Sequence, residues 1–180
     1  SRLHFKGRAV LLMVILGVSM FPTIATLSPL YLILKNMNLL NTYAALILPS
    51  IIVPLGTFIL TQSFKSVPDT VLDAAMLDGC SKIGVLFKIL VPVVQPSIVT
   101  ASIFAFYWIW QDFFQPLIFV SNPKNFTIPL ALKLYTDPNS YNNYGGLFAM
   151  SVISLLPVIL IFIKFQKYLV EGIATDGIKG

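Results

Sequence analysis

The stretch Ser66–Pro92, SVPDTVLDAAMLDGCSKIGVLFKILVP, decides how the rest of the chain is read. Apolar runs long enough to cross a membrane lie on both sides of it. The stretch itself carries three of the seven acids, Asp69, Asp73 and Asp78, and two of the twelve bases, Lys82 and Lys88, in a chain only 11% charged. A short connection between spans needs no such polar, helix-prone insert. It predicts a contact surface in the water phase.

Local grammar predicts two short helices. Pro68 suits a first helical turn, where its missing N–H leaves no bond unmade. Ser66, three residues before Asp69, approximates a capping box. Asp69 and Asp73 stand near the positive end of the helix dipole. Gly79 falls where a left-handed stop residue belongs. Ser81 is placed to cap a second helix, whose apolar positions Ile83, Leu86, Phe87 and Leu90 repeat at helical spacing. In the first helix Ala74 and Ala75 leave room for another backbone to approach, while Val71, Leu72, Met76 and Leu77 supply apolar area around them. An interfacial hairpin lying flat on lipid satisfies the same pattern.

Asp73-Ala74-Ala75, then Gly79, then Ile89 and Pro92, resemble the cytoplasmic coupling loop of ABC-importer permeases. That family's pattern is Glu-Ala-Ala, three residues, Gly, nine residues, Ile, one residue, Leu-Pro. The chain has Asp73 in place of Glu and Val91 in place of Leu, keeping charge sign and apolar character. The fuller run Ala74-Ala75-Met76-Leu77-Asp78-Gly79 resembles the carbohydrate branch, the maltose-type second permease subunit with a methionine-importer-like core. The resemblance implies that Asp73, Ala74, Ala75, Met76, Leu77, Asp78, Gly79, Ile89 and Pro92 couple the chain to an ATPase.

Composition fits a membrane protein. The 180 residues are 57% hydrophobic, where soluble domains sit nearer half apolar and a quarter charged. Four stretches reach spanning length: about Ala9–Leu27, Tyr43–Phe64, Pro92–Gln111 and Gly146–Phe165. The expectation is one all-α domain over residues 1–180, a polytopic helical bundle with a helical loop at 66–92 in the cytoplasm. With that loop inside, Arg2, Lys6, Arg8, Lys65, Lys82, Lys88, Lys164, Lys167 and Lys179 are also inside, against Lys35, Lys124 and Lys133 outside. Nine to three follows the positive-inside rule. The net charge of +5 therefore reflects topology and argues against a nucleic-acid partner.

Chemistry is sparse. Cys80 has no partner for an intrachain disulfide, and His4 lies among terminal bases, so neither a protein metal site nor a nucleophile–His–acid set is expected. No phosphate-cradling Gly-Lys-Ser/Thr loop is present, so ATP and Mg belong to a partner ATPase and no cofactor to this chain. Asp69, Asp73 and Asp78 are spread around their helix rather than converged on a cation. Ionisable groups are missing from mid-membrane depth, which argues against a proton-coupled carrier.

Taken in order, the first span is interrupted by Pro22, with Pro29 after it. Ser19, Thr23 and Thr26 either face a pathway or bond their own backbone. Asn36, Asn38, Asn41 and Thr42 mark an outer turn. The second span carries Pro49, Pro54 and Gly56, then Thr57, Thr61 and Gln62, breakers and polar groups suited to protein or a cavity rather than lipid. In the third, Ser97, Ala101 and Ala105 form a small-residue stripe for helix packing. Tyr107, Trp108, Trp110, Gln111 and Asp112 end that span, either as an aromatic belt or lining an outer mouth. Trp110-Gln111-Asp112-Phe113-Phe114 resembles a Trp-Asn-Asp-Phe run of the sugar branch. Thr23, Thr57, Gln111 and Asp112 are the candidate pathway-lining residues.

The second outer loop, Ser121–Gly145, is rich in Asn (Asn122, Asn125, Asn139, Asn142, Asn143) and Tyr (Tyr135, Tyr141, Tyr144), with a short amphipathic segment expected over Ile128–Leu134. By resemblance it faces an external solute-binding protein. The ending from Tyr168 to Gly180 resembles the Gly-rich close of sugar permeases and is expected to reach the ATPase dimer. The chain starts at Ser1 without an initiator Met, and the resemblance implies further N-terminal helices missing here. The family implication is a permease subunit of a binding-protein-dependent importer in a bacterial or archaeal cell (inner) membrane. Its partners would be a second permease subunit, an ABC ATPase dimer and an extracellular or periplasmic binding protein. The solute would be a sugar or oligosaccharide; another solute, or a membrane scaffold role, is the alternative.

Overall fold

A computed structural model of the chain describes residues 6–135 and 144–177, with side chains as far as Tyr168. Arg2, His4, Asp137, Asn139, Tyr141, Asn142, Asn143 and the last residues 178–180 lie outside the described residues. Every regular element described is helical, and the all-α expectation holds. In order they are α1 Arg8–Ser19, α2 Thr23–Asn36, α3 Tyr43–Ser50, α4 Pro54–Ser66, α5 Asp69–Leu77, α6 Lys82–Val85, a π turn Leu86–Leu90, α7 Val91–Val93, α8 Gln95–Trp110, α9 Phe114–Phe119, a 3-10 turn Pro123–Asn125, α10 Ile128–Leu134 and α11 Tyr144–Gly177.

Among the described residues, two segments are long and apolar enough to span by themselves, Tyr43–Ser66 and Tyr144–Tyr168; the number rises to four if each of two bent helix pairs counts as one span. The most apolar 18-residue window of Tyr144–Tyr168 buries none of its residues within the chain. Such surface requires lipid or another protein around it, since water would leave it unfavourably hydrated. The structure draws the span boundaries differently from the sequence. Helix α1 stops at Ser19, Met20–Pro22 interrupts, and α2 continues through Pro29 to Asn36. Pro22 stands at the N-cap of α2, where a missing N–H breaks no ladder bond. Helix α10 matches its expected bounds, with Pro129 in the first turn.

The chain divides into two compact units. The first comprises Ser1–Ser19, Val53–Ala105 and Lys164–Gly180. Its core gathers Val67, Leu72, Ala75, Val85, Leu90 and Val94, flanked by Phe64, Cys80, Ile89 and Ile98. Within this unit α1 packs on α4, and α4 meets α8 where Gly56 faces Ala101; a Cβ added to Gly56 would lie 3.8 Å from the Ala101 Cβ. The small-residue stripe of α8 thus serves helix packing. Thr100, 5% exposed, donates its hydroxyl to the Tyr168 carbonyl at 3.2 Å and fastens α11 to α8.

The second unit comprises Met20–Ile52 and Phe106–Ile163. Its core is Leu27, Leu34, Ala45, Phe119 and Val120, with Leu30, Tyr31, Leu39, Leu40, Leu46 and Phe126 around it. Helix α9 packs on both α2 and α3. Trp110 stacks on Phe106 at 5.2 Å between ring centroids and donates its indole N–H to the Ser154 carbonyl at 3.3 Å. The indole is thereby tied into the helix packing, while Tyr107 and Trp108 stay half exposed or more.

Candidate coupling surface

Helix α4 runs out at Ser66, and Val67 turns the chain with extended backbone (φ −71°, ψ 126°) while burying its side chain in the first unit's core. Pro68 follows as the N-cap of α5 rather than its first helical residue. The capping box expected from Ser66 and Asp69 does not form. Ser66 is still the last residue of α4, and its hydroxyl donates back to the Ser63 carbonyl at 2.9 Å.

The corner after α5 forms as expected. Gly79 takes φ +84°, its N–H donates to the Met76 carbonyl at 3.1 Å, and the Cys80 N–H reaches the Ala75 carbonyl at 3.0 Å. These two bonds make a Schellman closure, satisfying carbonyls that the helix end would leave open. Cys80 then packs against the buried cluster, completing the closure on its apolar side. Ser81 caps α6 by accepting the Gly84 N–H at 3.1 Å.

Burial sorts the candidate coupling residues into two faces. Leu72 and Ala75 are buried against Val85, Leu90 and Val94. Asp73, Ala74, Met76, Leu77, Asp78 and Gly79 are exposed, Leu77 at 88%. Ile89 is half-buried against the same cluster, and Pro92 is exposed. Of the two alanines, therefore, only Ala74 offers a small side chain outward; Ala75 belongs to the loop's own core.

The apolar stripe of the second helix also falls differently. Leu90 is buried, but Ile83 and Phe87 are 71% and 65% exposed, and the inward residues are Val85, Leu90 and Val94. The π turn Leu86–Leu90 explains this. Widening the turn shifts every later side chain around the axis relative to a 3.6-residue period. The exposed face of the loop then carries Ala74, Met76, Leu77, Ile83 and Phe87 together with Asp73, Asp78, Lys82 and Lys88.

The candidate pathway residues are divided between the two units. Thr57 lies in the first unit and bonds the Val53 carbonyl of its own helix at 3.1 Å. Thr23, Gln111 and Asp112 belong to the second. Thr23 is exposed at the start of α2. The hydroxyls of Ser19 and Thr26 bond carbonyls three residues earlier, at 2.6 Å and 2.7 Å, as scaffold hydroxyls do. Asp112, just beyond α8, accepts the Gln115 N–H through Oδ1 at 3.4 Å. Burial holds its carboxyl above the ordinary value of 3.8, against the backbone N–H groups of Gln115 and Phe114, which pull it down.

In the sequence Asn41 marks a turn ahead of the next helix. It has φ +63° and joins two connecting segments of the second unit. Its Oδ1 accepts from the Ser121 N–H, the Ser121 hydroxyl at 2.8 Å and the Asn122 N–H at 3.1 Å. The Asn125 side chain donates to its carbonyl at 2.6 Å. The local signal was there, an Asn suited to left-handed backbone, but its partners lie 80 or more residues away.

Over residues 1–175 the chain matches the family described as binding-protein-dependent transport system inner membrane component. It is 39% identical, along its whole length, to the sulfoquinovosyl glycerol transport system permease protein SmoH of Agrobacterium fabrum, covering 64% of that protein. Over 98% of its length it is 35% identical to the arabinooligosaccharides transport system permease protein AraQ of Halalkalibacterium halodurans, covering 63% of it. It is 32% identical over its whole length to the trehalose/maltose transport system permease protein MalG of Thermococcus litoralis, covering 66% of it. The chain thus spans just under two thirds of these relatives. With helices of spanning length and a match across nearly all its residues, the chain belongs to the family of inner-membrane components of binding-protein-dependent transport systems.

Proposed function

We propose that the chain is the pore-forming part of a permease subunit in an ATP-driven importer for a sugar or oligosaccharide, working by alternating access. The observation that carries this reading is the two-faced coupling helix α5. Leu72 and Ala75 bind it to the loop's core, while Ala74, Met76 and Leu77 stay open around an acidic N-terminal half. Exposed apolar residues on a helix with no lipid-spanning length suit a protein partner. That partner is an ABC ATPase dimer, which holds ATP and Mg, since this chain carries no phosphate-cradling loop.

Loop 66–92 and the C-terminus lie in the cytoplasm of a multi-pass protein in a bacterial or archaeal cell membrane, as the lysine and arginine distribution favours. A second permease subunit covers apolar span surface left open by this chain, and an external solute-binding protein delivers the sugar to the opposite side. The whole of residues 1–180 acts as one permease domain. Thr23, Thr57, Gln111 and Asp112 line the route, and the residues from Asp73 to Gly79 with Ile89 and Pro92 pass the ATPase's motion inward. The names of SmoH, AraQ and MalG, permease proteins of sulfoquinovosyl glycerol, arabinooligosaccharide and trehalose/maltose transport systems, support the solute class.

The test is site-directed crosslinking in a Cys80→Ser background. A cysteine at position 77, Leu77→Cys, is expected to crosslink to the co-isolated ATPase and to be labelled only from the cytoplasmic side. Labelling from the external side overturns the reading.

A further inference from the structure

Helix α11 runs from Tyr144 to Gly177 with Pro157 inside it. Pro157 has no N–H for the Ile153 carbonyl, and its ring crowds that carbonyl. A spanning helix tolerates such a gap where neighbouring helices or hydroxyls supply donors to the turn it weakens. The local hydroxyls reach back up the chain: Ser154 donates to the Ser151 carbonyl at 2.7 Å, and Ser151 to the Leu147 carbonyl at 2.8 Å. At the weakened turn itself a donor arrives from α8. The Trp110 indole N–H reaches the Ser154 carbonyl, the one next to that of Ile153, at 3.3 Å. Ser154 and Pro157 are half-buried while Ile153, Leu155 and Leu156 are exposed, so the bond lies on the face of α11 that the chain partly covers.

The same tryptophan carries the turn that follows α8. Trp110 is the last residue of that helix. The next two peptides close back onto it, Gln111 N–H to the Tyr107 carbonyl at 3.2 Å and Asp112 N–H to the Ile109 carbonyl at 3.3 Å. The Trp110 ring stacks on Phe106 with the planes 27° apart. Tyr107 and Trp108, 50% and 61% exposed, are placed as an interfacial belt would be; Trp110 is not. A tryptophan is a large stiff ring with one donor. With the ring stacked and the donor given to a backbone carbonyl, the peptide that bears them is held too, and that N–H is not on offer to a solute.

We propose that Trp110 is a positioning residue: bonded to Ser154 beside Pro157, it holds the Gln111–Asp112 turn where those two side chains meet the solute, and does not touch the solute itself. This rests on the permease reading above, in which Gln111 and Asp112 line the route. Deleting the indole N–H then displaces the turn without removing any group from the route.

Two measurements on the membrane-reconstituted chain need no transport. The chain has two tryptophans, so Trp108→Phe assigns both indole N–H resonances. The Trp110 proton is expected to exchange with deuterium about tenfold more slowly than that of its neighbour Trp108, as a bonded donor does. Equal exchange overturns the proposal, and this measurement does not depend on any variant at position 110. Spin labels at Gln111→Cys and Leu155→Cys, in the Cys80→Ser background, read the turn against α11. Trp110→Phe keeps a stacked ring and deletes the donor; it is expected to shift or broaden that distance, and an unchanged distance refutes the positioning role. In the assembled importer, uptake of labelled trehalose, maltose and an arabinooligosaccharide gives the kinetic split. Trp110→Phe is expected to raise KM about tenfold with kcat little changed. On top of Gln111→Ala with Asp112→Asn it is expected to add less than about twofold, because it acts through them. An unchanged KM, or a full further loss in that background, overturns the proposal, the latter because the ring would then meet the solute itself. Uptake of none of the three sugars by the wild-type assembly counts against the sugar-permease reading instead, and the exchange and distance measurements still decide whether Trp110 holds the turn.

Discussion

The side-chain oxygen of Asn41 is the acceptor on which Ser121 closes, through both its backbone N–H and its hydroxyl. Eighty residues of sequence separate the two. Around them Asn41 also gives its N–H to the Phe119 carbonyl at 3.0 Å and receives the Asn125 amide and the Asn122 N–H. One residue thereby fixes the short connection after α2 to the segment that leads from α9 into the 3-10 turn. It does so only because φ +63° turns its side chain and its carbonyl toward the same strand of chain.

Replacing Asn41 with Ala removes the shared acceptor and leaves a side-chain residue in left-handed backbone. The sum is a loss of about 2–3 kcal/mol, taking about 1 for the backbone and about 0.5 for each of the three exposed bonds to the side-chain oxygen. Asn41→Asp keeps the acceptors and is expected to stay near wild type; Asn41→Gly keeps the backbone and is expected to fall between. Thermal unfolding of the detergent-solubilised chain should rank them Asp, Gly, Ala. A fully stable Ala variant would show that the apolar core of Leu27, Leu34, Ala45 and Phe119 holds the unit without this clasp.

Gly79→Leu tests the corner of the coupling loop. A Cβ at Gly79 would meet nothing within 4 Å, so the cost inside the chain is the left-handed backbone alone, about 1–2 kcal/mol. The new side chain projects outward beside Leu77 and Asp78, where the ATPase is expected to sit. The protein should insert and fold, while ATP hydrolysis runs without solute uptake in proteoliposomes. Gly79→Asn, which tolerates the same φ, should keep most transport. Full transport by the Leu variant would remove the corner from the contact.

The two clearest sequence signals were chemical ones with local meaning. Gly79 gave the stop because few other residues accept φ +84°, and Ser81 gave the cap because a hydroxyl ahead of a helix has an orphan N–H to accept. What failed was counting by 3.6. Pro92 forces a wider turn four residues upstream, so Phe87 and Ile83, in step with Leu90 on paper, come out exposed. Ala74 and Ala75 could not be told apart because the choice depends on where Val85 and Leu90 press, and those lie beyond the corner. Ser66 failed as a cap because Val67 finds a place in the core and pins Ser66 to the preceding helix. The Asn41 clasp needed two loops brought together, information that no local window contains.

Asp112 gives a pH signature. Burial raises its folded-state value above the 3.8 of an exposed carboxyl. A raised value means that the folded state binds the proton more tightly. Its contribution to stability is therefore complete below 3.8 and is lost as pH rises through the folded-state value. Asp112→Asn, uncharged throughout, is expected to gain on wild type in melting temperature as pH rises above 3.8. Parallel profiles would mean that the carboxyl is hydrated after all. If Asp112 also meets the solute at the outer mouth, the same variant raises the KM of uptake at neutral pH. An unchanged KM would leave Asp112 only its bond from the Gln115 N–H in the first turn of α9.

The adjacent alanines of α5 allow folding and coupling to be separated in a single pair of variants. Ala75 is 7% exposed and touches the cluster of Leu72, Val85 and Leu90. Ala75→Leu forces three extra carbons into that cluster and is expected to cost about 1–3 kcal/mol, read as a lower melting temperature and lower yield. Ala74, one residue earlier, is exposed, so Ala74→Leu should leave melting unchanged within about 0.5 kcal/mol, as surface changes do. Its bulk instead stands between α5 and any backbone that approaches it. Co-isolation of the ATPase and uptake should drop for Ala74→Leu, with normal membrane insertion. The opposite pattern, a destabilised Ala74→Leu and an inert Ala75→Leu, would mean that α5 is rotated by about 100° from the orientation described, the angle between neighbouring helix positions, and that its partner reads the Leu72 face.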